Sequence, residues 1–369
     1  MTKKKSLILL FCAVLILVVI VASILWFGSS REEEKVSIGV ILPGSSLEMG
    51  WNGVHYQGIK EACDDFDVNL VLYENVPEYS GKCEKVVREM ADQGIGAIFL
   101  ESYNYSEEIA DTILEFSDIN FFCCSSNDVS AKKYTTYFAR VYQARYLSGV
   151  VAGMKTKTNH IGYVAAMNNN EVNRGINAFS LGVRSVNPKA EIDVIYTNSW
   201  DDEERERQEV NYLADRCHAD VISYHQNQPF VVEEAEKQGV YVIGYNIEKG
   251  DFSPYLLTSV VSNWKMVYRE MVKDYIQGEK NVKENYWIGI EKEAVELNFF
   301  SDEVSQETKD AVSLAKERMM NNIDVFSGLI KDNTGKVRCQ KEETIRDAVL
   351  QDQMDWLVEG VVVHEEIQK

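Results

Sequence analysis

A carboxylate, a large aromatic ring and an amide stand within five residues of one another in this chain: Glu48, Trp51 and Asn52, in the stretch Ile38-Gly-Val-Ile-Leu-Pro-Gly-Ser-Ser-Leu-Glu-Met-Gly-Trp-Asn-Gly-Val54. That trio suits a flat heteroaromatic solute. Trp51 would stack on it, Glu48 would accept its N–H groups, and Asn52 would both donate and accept. The plainer reading makes Trp51 a rim-packing residue and Asn52 a helix cap. Further along, the same kinds of residue recur wherever a strand pattern ends. They are Glu101, Ser102 and Tyr103; Met167 to Asn170; Ser199 and Trp200; His225, Gln226 and Asn227; Asn246; and Ser262, Asn263 and Trp264. The residues carried forward as ligand-binding are Glu48, Trp51, Asn52, Tyr103, Trp200, His225, Asn227, Asn246 and Asn263. Aromatics and amides with little charge fit stacking and hydrogen bonding of a neutral planar solute.

Catalytic signatures are missing. The chain has no P-loop, no G-x-G-x-x-G after its first strand, no G-x-S-x-G elbow and no H-E-x-x-H. His225 could serve as a base, a metal ligand, a hydrogen-bond partner for a ligand or a structural residue; the last two are favoured. Three other stretches have structural readings. Asp202 beside Trp200 can cap a helix, Asn168-Asn169-Asn170 can form a turn, and Glu203–Glu209 reads as a solvated helix face. No catalytic residue, metal or cofactor is assigned, and the chain is read as a non-enzyme.

The elements that must hold these residues follow from apolar patterning. Val36–Leu42 reads as a buried parallel strand stopped by Pro43 and Gly44, with a helix from Asn52 to Phe66 after a polar loop. Strands at 69–74, 97–101, 120–124 and 135–138 alternate with helices at 82–93 and 106–116. A helix at 141–155 then presents Ala144, Leu147, Ser148, Val151 and Ala152 as a small-residue packing face. The alternation restarts with strands at 161–165, 191–196, 220–224 and 240–245 and helices at 171–185, 203–217 and 229–238. Such alternation predicts parallel sheets with both faces covered. In such sheets ligands sit beyond strand C-termini, against helix N-termini. Two such halves predict a two-lobed α/β protein whose loops face one another across a cleft. The tail reads as a strand at 257–261, a helix at 264–277, a strand region at 286–297, a helix at 303–320, a hairpin within 326–338 turning at Asp332–Gly335, a helix near 344–351, and a closing segment at 354–363.

The 369 residues leave room for two such lobes, and 38 basic against 58 acidic residues give a formal charge of −20, which argues against a nucleic-acid surface. The N-terminus differs in kind. Lys3, Lys4 and Lys5 precede an apolar run from Leu7 to Phe27, and Glu32, Glu33 and Glu34 follow. The run is long enough to cross a bilayer, and the charge order predicts a cytoplasmic N-terminus with the remainder outside. An uncleaved anchor is favoured over a signal peptide cut near Gly28-Ser-Ser30. Cys12, preceded by Phe11, does not read as a lipidation site. The other six cysteines show no CxxC or metal spacing and read as mostly buried small apolar residues.

Several segments together resemble the basic membrane protein, or PnrA-like, family of ABC transporter substrate-binding proteins. They are Val87-Arg-Glu-Met-Ala-Asp-Gln-Gly-Ile-Gly96, Tyr146-Leu-Ser-Gly-Val-Val-Ala-Gly-Met-Lys-Thr-Lys-Thr158, Ile161-Gly-Tyr-Val164, Ala178-Phe-Ser-Leu-Gly-Val183, Val186-Asn-Pro-Lys-Ala190, Gly239-Val-Tyr-Val-Ile-Gly-Tyr-Asn246 and Leu257-Thr-Ser-Val-Val261. Phe326-Ser-Gly328, Lys331-Asp-Asn-Thr-Gly-Lys-Val-Arg338 and Met354-Asp-Trp-Leu-Val-Glu-Gly-Val-Val362 are similar to one branch of it. The resemblance implies a type I periplasmic-binding-protein fold with a hinge between two lobes that close on ligand. The lobes expected are residues 31–140 plus about 253–284, and 141–252 plus about 285–369, after a signal or anchor segment at 1–30. It implies purine-type ligands handed to a permease and its ATPase; relatives are usually lipoproteins, a signal this chain lacks, so the N-terminal segment is read as the tether with the binding domain outside the cytoplasm. Where relatives carry Asp, two residues, Phe and Asn, this chain has Glu48, Met49, Gly50, Trp51 and Asn52. Where nucleoside-binding relatives place an Asp and a Lys on the ribose hydroxyls, it has Asn246 and Ser262. The nucleobase is therefore favoured over the nucleoside. The alternative is a membrane-tethered ligand sensor with the same fold.

Overall fold

The computed structural model describes residue 11, residues 14–21, 35–48, 50–125, 134–247, 250–278 and 282–364. The anchor expected at Leu7–Phe27 lies mostly outside them. Its described parts, Phe11 and Val14–Val21, are helical and exposed, and no described helix is long and apolar enough to cross a membrane.

Thirteen strands among the described residues form two large sheets. The first has six parallel strands: β1 (Ser37–Ile41), β2 (Asn69–Tyr73), β3 (Ala97–Leu100), β4 (Asn120–Cys124), β5 (Tyr134–Ala139) and β11 (Asn285–Ile288), in the order β11-β5-β4-β3-β1-β2. The second has seven: β6 (His160–Ala165), β7 (Glu191–Tyr196), β8 (Val221–His225), β9 (Tyr241–Tyr245), β10 (Leu256–Ser262), β12 (Val295–Leu297) and β15 (Val361–Val363). Their order is β12-β10-β9-β8-β6-β7-β15, with only β12 antiparallel to its neighbour.

Near-continuous apolar strands bury both sheet faces, as parallel sheets require. In the first lobe, α1 (Trp51–Asp65) and α9 (Trp264–Ile276) cover one face, placing Ile59, Ala62, Val267 and Tyr268 against Val40, Phe99 and Phe122. The other face takes α2 (Lys82–Asp92), α3 (Tyr105–Glu108) and α4 (Ala110–Glu115). The single helix expected at 106–116 is thus two short ones, broken at Ile109. In the second lobe, α5 (Val141–Lys155) and α6 (Asn170–Val186) lie on one face, and α7 (Glu203–Asp215) and α8 (Phe230–Gln238) on the other. The small-residue face expected on α5 is buried. Glycines bring α5 and α6 closest: a Cβ on Gly149 would sit 2.1 Å from the Phe179 carbonyl oxygen, and one on Gly182 would sit 2.0 Å from that of Tyr146.

Three crossovers join the lobes: Ala139–Val141, Ser262–Trp264 and Ile288–Ile290. They are cross-braced, with Arg140 N–H donating to Ile288 O (2.8 Å), Ile290 N–H to Gln143 Oε1 (2.8 Å) and Asn263 N–H to Ala294 O (2.9 Å). This differs from the expected boundaries. β10 belongs to the second sheet rather than the first lobe, and β11 to the first sheet rather than the second lobe. The strand region expected at 286–297 is therefore two strands in different sheets. A 3-10 turn at Ile290–Lys292, ended by Glu293 with φ of 58°, separates them.

The remaining chain straps the second lobe to the hinge. After α10 (Gln306–Met320) comes the expected hairpin of β13 (Ile330–Lys331) and β14 (Val337–Cys339). Asp332 closes its turn, accepting from Thr334 N–H (2.9 Å), Lys336 N–H (3.0 Å) and Arg338 Nε (2.7 Å). α11 (Asp347–Asp352) follows. Arg140 grips Asp347 with both terminal nitrogens, and Arg174 Nη1 donates to Leu350 O (2.7 Å). Cys63, Cys83, Cys123, Cys124, Cys217 and Cys339 are all buried, as the sequence implied, and all are free thiols.

Candidate functional site

A cleft of about 1180 Å³ opens between the lobes at the C-terminal ends of the strands. Eight of the nine candidate residues line it: Glu48, Trp51, Tyr103, Trp200, His225, Asn227, Asn246 and Asn263. Asn52 does not. It is buried, its Oδ1 accepting from Gly44 N–H (3.1 Å) and its Nδ2 donating to Glu48 Oε2 (2.6 Å). It is not the helix cap, since Gly50 holds the cap position of α1. Asn52 braces the loop that presents Glu48, whose Oε1 also accepts from Ser45 N–H (3.0 Å).

The first-lobe wall is aromatic. The half-buried indole of Trp51 is fixed by its Nε1–H donating to Glu101 O (2.8 Å). Phe138 lies 6.4 Å away, near-parallel, and Trp264 lies edge-on at 5.9 Å. Gly58 permits that approach: a Cβ there would meet the Trp264 Cβ at 2.7 Å. Beneath the rings lies a fully buried polar network. His55 packs between Trp51 and Trp264, at centroid distances of 4.0 and 3.9 Å. Its Nδ1 stands 2.8 Å from Glu101 Oε2 and 2.5 Å from the Tyr268 hydroxyl. Tyr137 donates to Glu101 Oε1 (2.5 Å); burial and the Glu101 carboxylate hold the Tyr137 hydroxyl pKa far above its ordinary value, so it stays a donor. Cys124 joins His55 and Glu101 in one cluster of ligand-capable atoms, but the His55 and Glu101 atoms already serve this network.

The second-lobe wall mixes aromatics with charge. Trp200 and Tyr245 meet the ring of His225 edge-on at 5.6 and 4.8 Å. Burial, reinforced by the Arg145 and Arg174 guanidiniums, drives the His225 pKa well below 6.5, so its imidazole is neutral. His225 Nδ1 has no hydrogen-bond partner among the described residues. A neutral ring with an unengaged nitrogen suits a hydrogen bond to ligand better than acid chemistry. Asn227 N–H donates to Trp200 O (3.0 Å), tying two strand-end loops together, and Asn246 turns the chain after β9 with φ of 54°. Asp202 and Asn169 cap α7 and α6, accepting from Arg205 N–H (3.1 Å) and Val172 N–H (2.9 Å). Glu206 and Glu209, by contrast, are buried, so the solvated face expected for Glu203–Glu209 is only partly one.

Sequence reasoning missed Phe138, Glu171, Arg174, Trp287 and Gln351, all of which line the cleft. Glu171 and Arg174 stand one turn apart at the start of α6, and Arg174 lies over the Trp287 ring, 5.0 Å from its centroid. Burial raises the Glu171 carboxyl pKa, and Arg174 and Arg145 oppose that. The one available signal was the helical spacing of Glu171 and Arg174 just after the Asn-rich loop.

Two parallel α/β sheets joined by three crossovers around a cleft define a two-lobed solute-binding protein of the type I periplasmic-binding-protein fold. The chain belongs to the family described as ABC transporter substrate-binding protein PnrA-like, which matches residues 35–328. It is 31% identical over 303 residues to a putative ABC transporter glucose-binding protein of Haloferax volcanii, covering 82% of this chain and 76% of that one. It is 29% identical over 337 residues to a purine-binding protein of Brucella abortus, covering 90% and 95%. Among solved structures, a transcriptional activator of the comK gene from Bacillus halodurans superposes with a TM-score of 0.68 at 22% identity, covering 78% of this chain and 99% of that one.

Proposed function

We propose that this ABC transporter substrate-binding protein takes a purine-type ligand, a nucleobase in preference to a nucleoside, in the cleft between its lobes. It would do so outside the cytoplasm, tethered by its N-terminal segment, and deliver the ligand to a permease and its ATPase without chemical turnover. The observation that carries this reading is the aromatic wall of Trp51, Phe138 and Trp264 facing the neutral His225 and Trp200. Stacking on π-faces with a few convergent polar groups selects a flat heteroaromatic ring over a saturated sugar. The purine-binding name of the Brucella relative supports the choice, and the glucose-binding name of the Haloferax relative makes glucose the necessary control. Asn246 and Ser262 line the cleft without the charges that would grip ribose hydroxyls.

The test is thermal unfolding of the full chain in detergent against adenine, guanine, their nucleosides, inosine and glucose. A ligand at about a hundred times its Kd stabilises the native state by roughly 2.7 kcal/mol. A shift with nucleobases alone is expected. A shift with nucleosides would reassign the sugar contacts, and a shift with glucose alone would overturn the purine reading. Inosine recovered without free base is the expected result for a non-enzyme. Sedimentation of the full chain with membranes, and release of a chain lacking residues 1–30, would support the tether.

The shared fold of the Bacillus halodurans transcriptional activator motivates a second reading, a ligand sensor built on the same two lobes. Co-purification with a permease and ATPase favours transport; ligand-dependent retention of a regulatory partner favours sensing.

A further inference from the structure

Away from the cleft, four chemically active side chains meet at the β15 edge of the second sheet. Asp193 lies within β7, where an acidic residue is out of place between Ile192 and Val194 and is only 4% exposed. A buried carboxylate needs strong partners. Its Oδ1 stands 2.7 Å from His364 Nε2, and its Oδ2 stands 3.2 Å from His160 Nδ1. His364 Nε2 is also 3.6 Å from the thiol of Cys217, the residue two past the end of α7. The backbone fixes this meeting: Val362 is paired with Asp193 in the β7–β15 ladder, and His364 N–H donates to Val194 O (2.9 Å). None of the four residues lines the cleft.

We propose that Asp193, Cys217 and His364 form a site for a divalent transition metal of the zinc type, with His160 orienting the Asp193 carboxylate from behind. Their ligand atoms all lie within 4.8 Å of one another. Carboxylate, thiolate and imidazole together match a borderline-soft ion rather than calcium or magnesium. The distances fit as well. Bonds of about 2.3 Å to sulfur and about 2.0–2.1 Å to nitrogen, at a tetrahedral angle, hold S and N about 3.5 Å apart; the pair here stands at 3.6 Å. The 2.7 Å contact between His364 and Asp193 is a hydrogen bond, which opens by about half an ångström when the ion takes the proton's place. A thiol binds the ion as the thiolate, so metal uptake by Cys217 releases a proton. Three protein ligands leave a fourth position for water. The ion would clasp the last strand to β7 and to the end of α7. No cysteine spacing signals the site, because strand order rather than sequence proximity assembles it.

Cobalt(II) titrated into the full chain, reduced and stripped with chelator, tests the proposal. One equivalent should bind, with a sulfur-to-cobalt charge-transfer band and tetrahedral d–d bands that zinc(II) bleaches. Zinc(II) should raise the unfolding midpoint. Cys217→Ser should abolish the charge-transfer band. His160→Ala should weaken binding by about 10–100-fold, as loss of an orienting partner does. Cys124→Ala should bind as the parent does. If Cys217→Ser does not fold, loss of the d–d bands and of the midpoint shift in His364→Gln carries the same test. No uptake by the parent chain, unchanged uptake by Cys217→Ser and His364→Gln, or loss of the band in Cys124→Ala would each overturn it.

Discussion

His225 and Glu206 are both buried, and they make stability depend on pH in opposite senses. His225 is held neutral, its folded pKa well below 6.5, so below pH 6.5 the unfolded chain binds a proton that the native one refuses. Stability therefore falls as pH drops through that window, by up to about 1.4 kcal/mol per unit, and His225→Gln should flatten the acid limb of a denaturation–pH profile. Glu206 is the reverse: burial raises its pKa from 4.5 to about 8, so the native state holds a proton that the unfolded state has lost. Its contribution is complete below pH 4.5 and is lost as pH rises towards 8; Glu206→Gln should flatten that decline, read from denaturant midpoints at pH 5 and 8. At the cleft, Trp51→Ala should weaken purine binding by about 1–3 kcal/mol in isothermal titration, the worth of one stacking platform. Trp51 and Glu48 were legible in the sequence because a strand, a breaker and a helix frame them. The bracing role of Asn52 was not legible, because its partners, Gly44 N–H and Glu48, emerge only when the loop folds back. Phe138 and Arg174 were illegible for a different reason: within a strand or a helix an inward-facing aromatic or a polar residue looks like ordinary patterning. Glu206 was masked by its charged neighbours.

At the scale of elements, the closest approach is between α5 and α6, where glycine carbon meets backbone oxygen. Gly149→Ala and Gly182→Ala must each push two helices apart, since a carbonyl cannot rotate aside as a side chain can. Each should cost about 1–3 kcal/mol or more, measured as a fall in denaturant midpoint at constant slope. Arg140→Ala acts elsewhere. It removes the paired contact to Asp347, the Nε donation to Trp287 O (2.8 Å) and the stacking over that ring, and should loosen the α11 strap, read as faster amide exchange across 344–356. Strand and helix alternation was legible because parallel strands buried on both faces leave compact apolar runs between amphipathic helices. The sheet to which β10 and β11 belong was not. That choice is made where the chain crosses the hinge, at Asn263 and Gly289, and no local pattern records it. A Cβ on Gly289 would stand 2.3 Å from Gln143 Oε1, the acceptor of the Ile290 brace.

At the scale of the whole molecule, three crossovers braced by hydrogen bonds join the lobes, and closure of one lobe on the other is the motion expected of such a hinge. Ligand should therefore lower the radius of gyration in small-angle scattering and change the emission of Trp51, Trp200, Trp264 and Trp287 with one saturation curve, since all four line the cleft. Unequal curves would mean that the rings report separate local events. The strand order has a further result, for the chain while it is being made. The first sheet lacks an edge until Ile288 has emerged, and the second lacks one until Val363 has emerged. Each lobe waits on a strand made long after its first one, so the growing polypeptide lingers without its native packing. On the extracytoplasmic reading proposed above that delay is an advantage, because a translocation channel passes an extended thread and not a finished lobe.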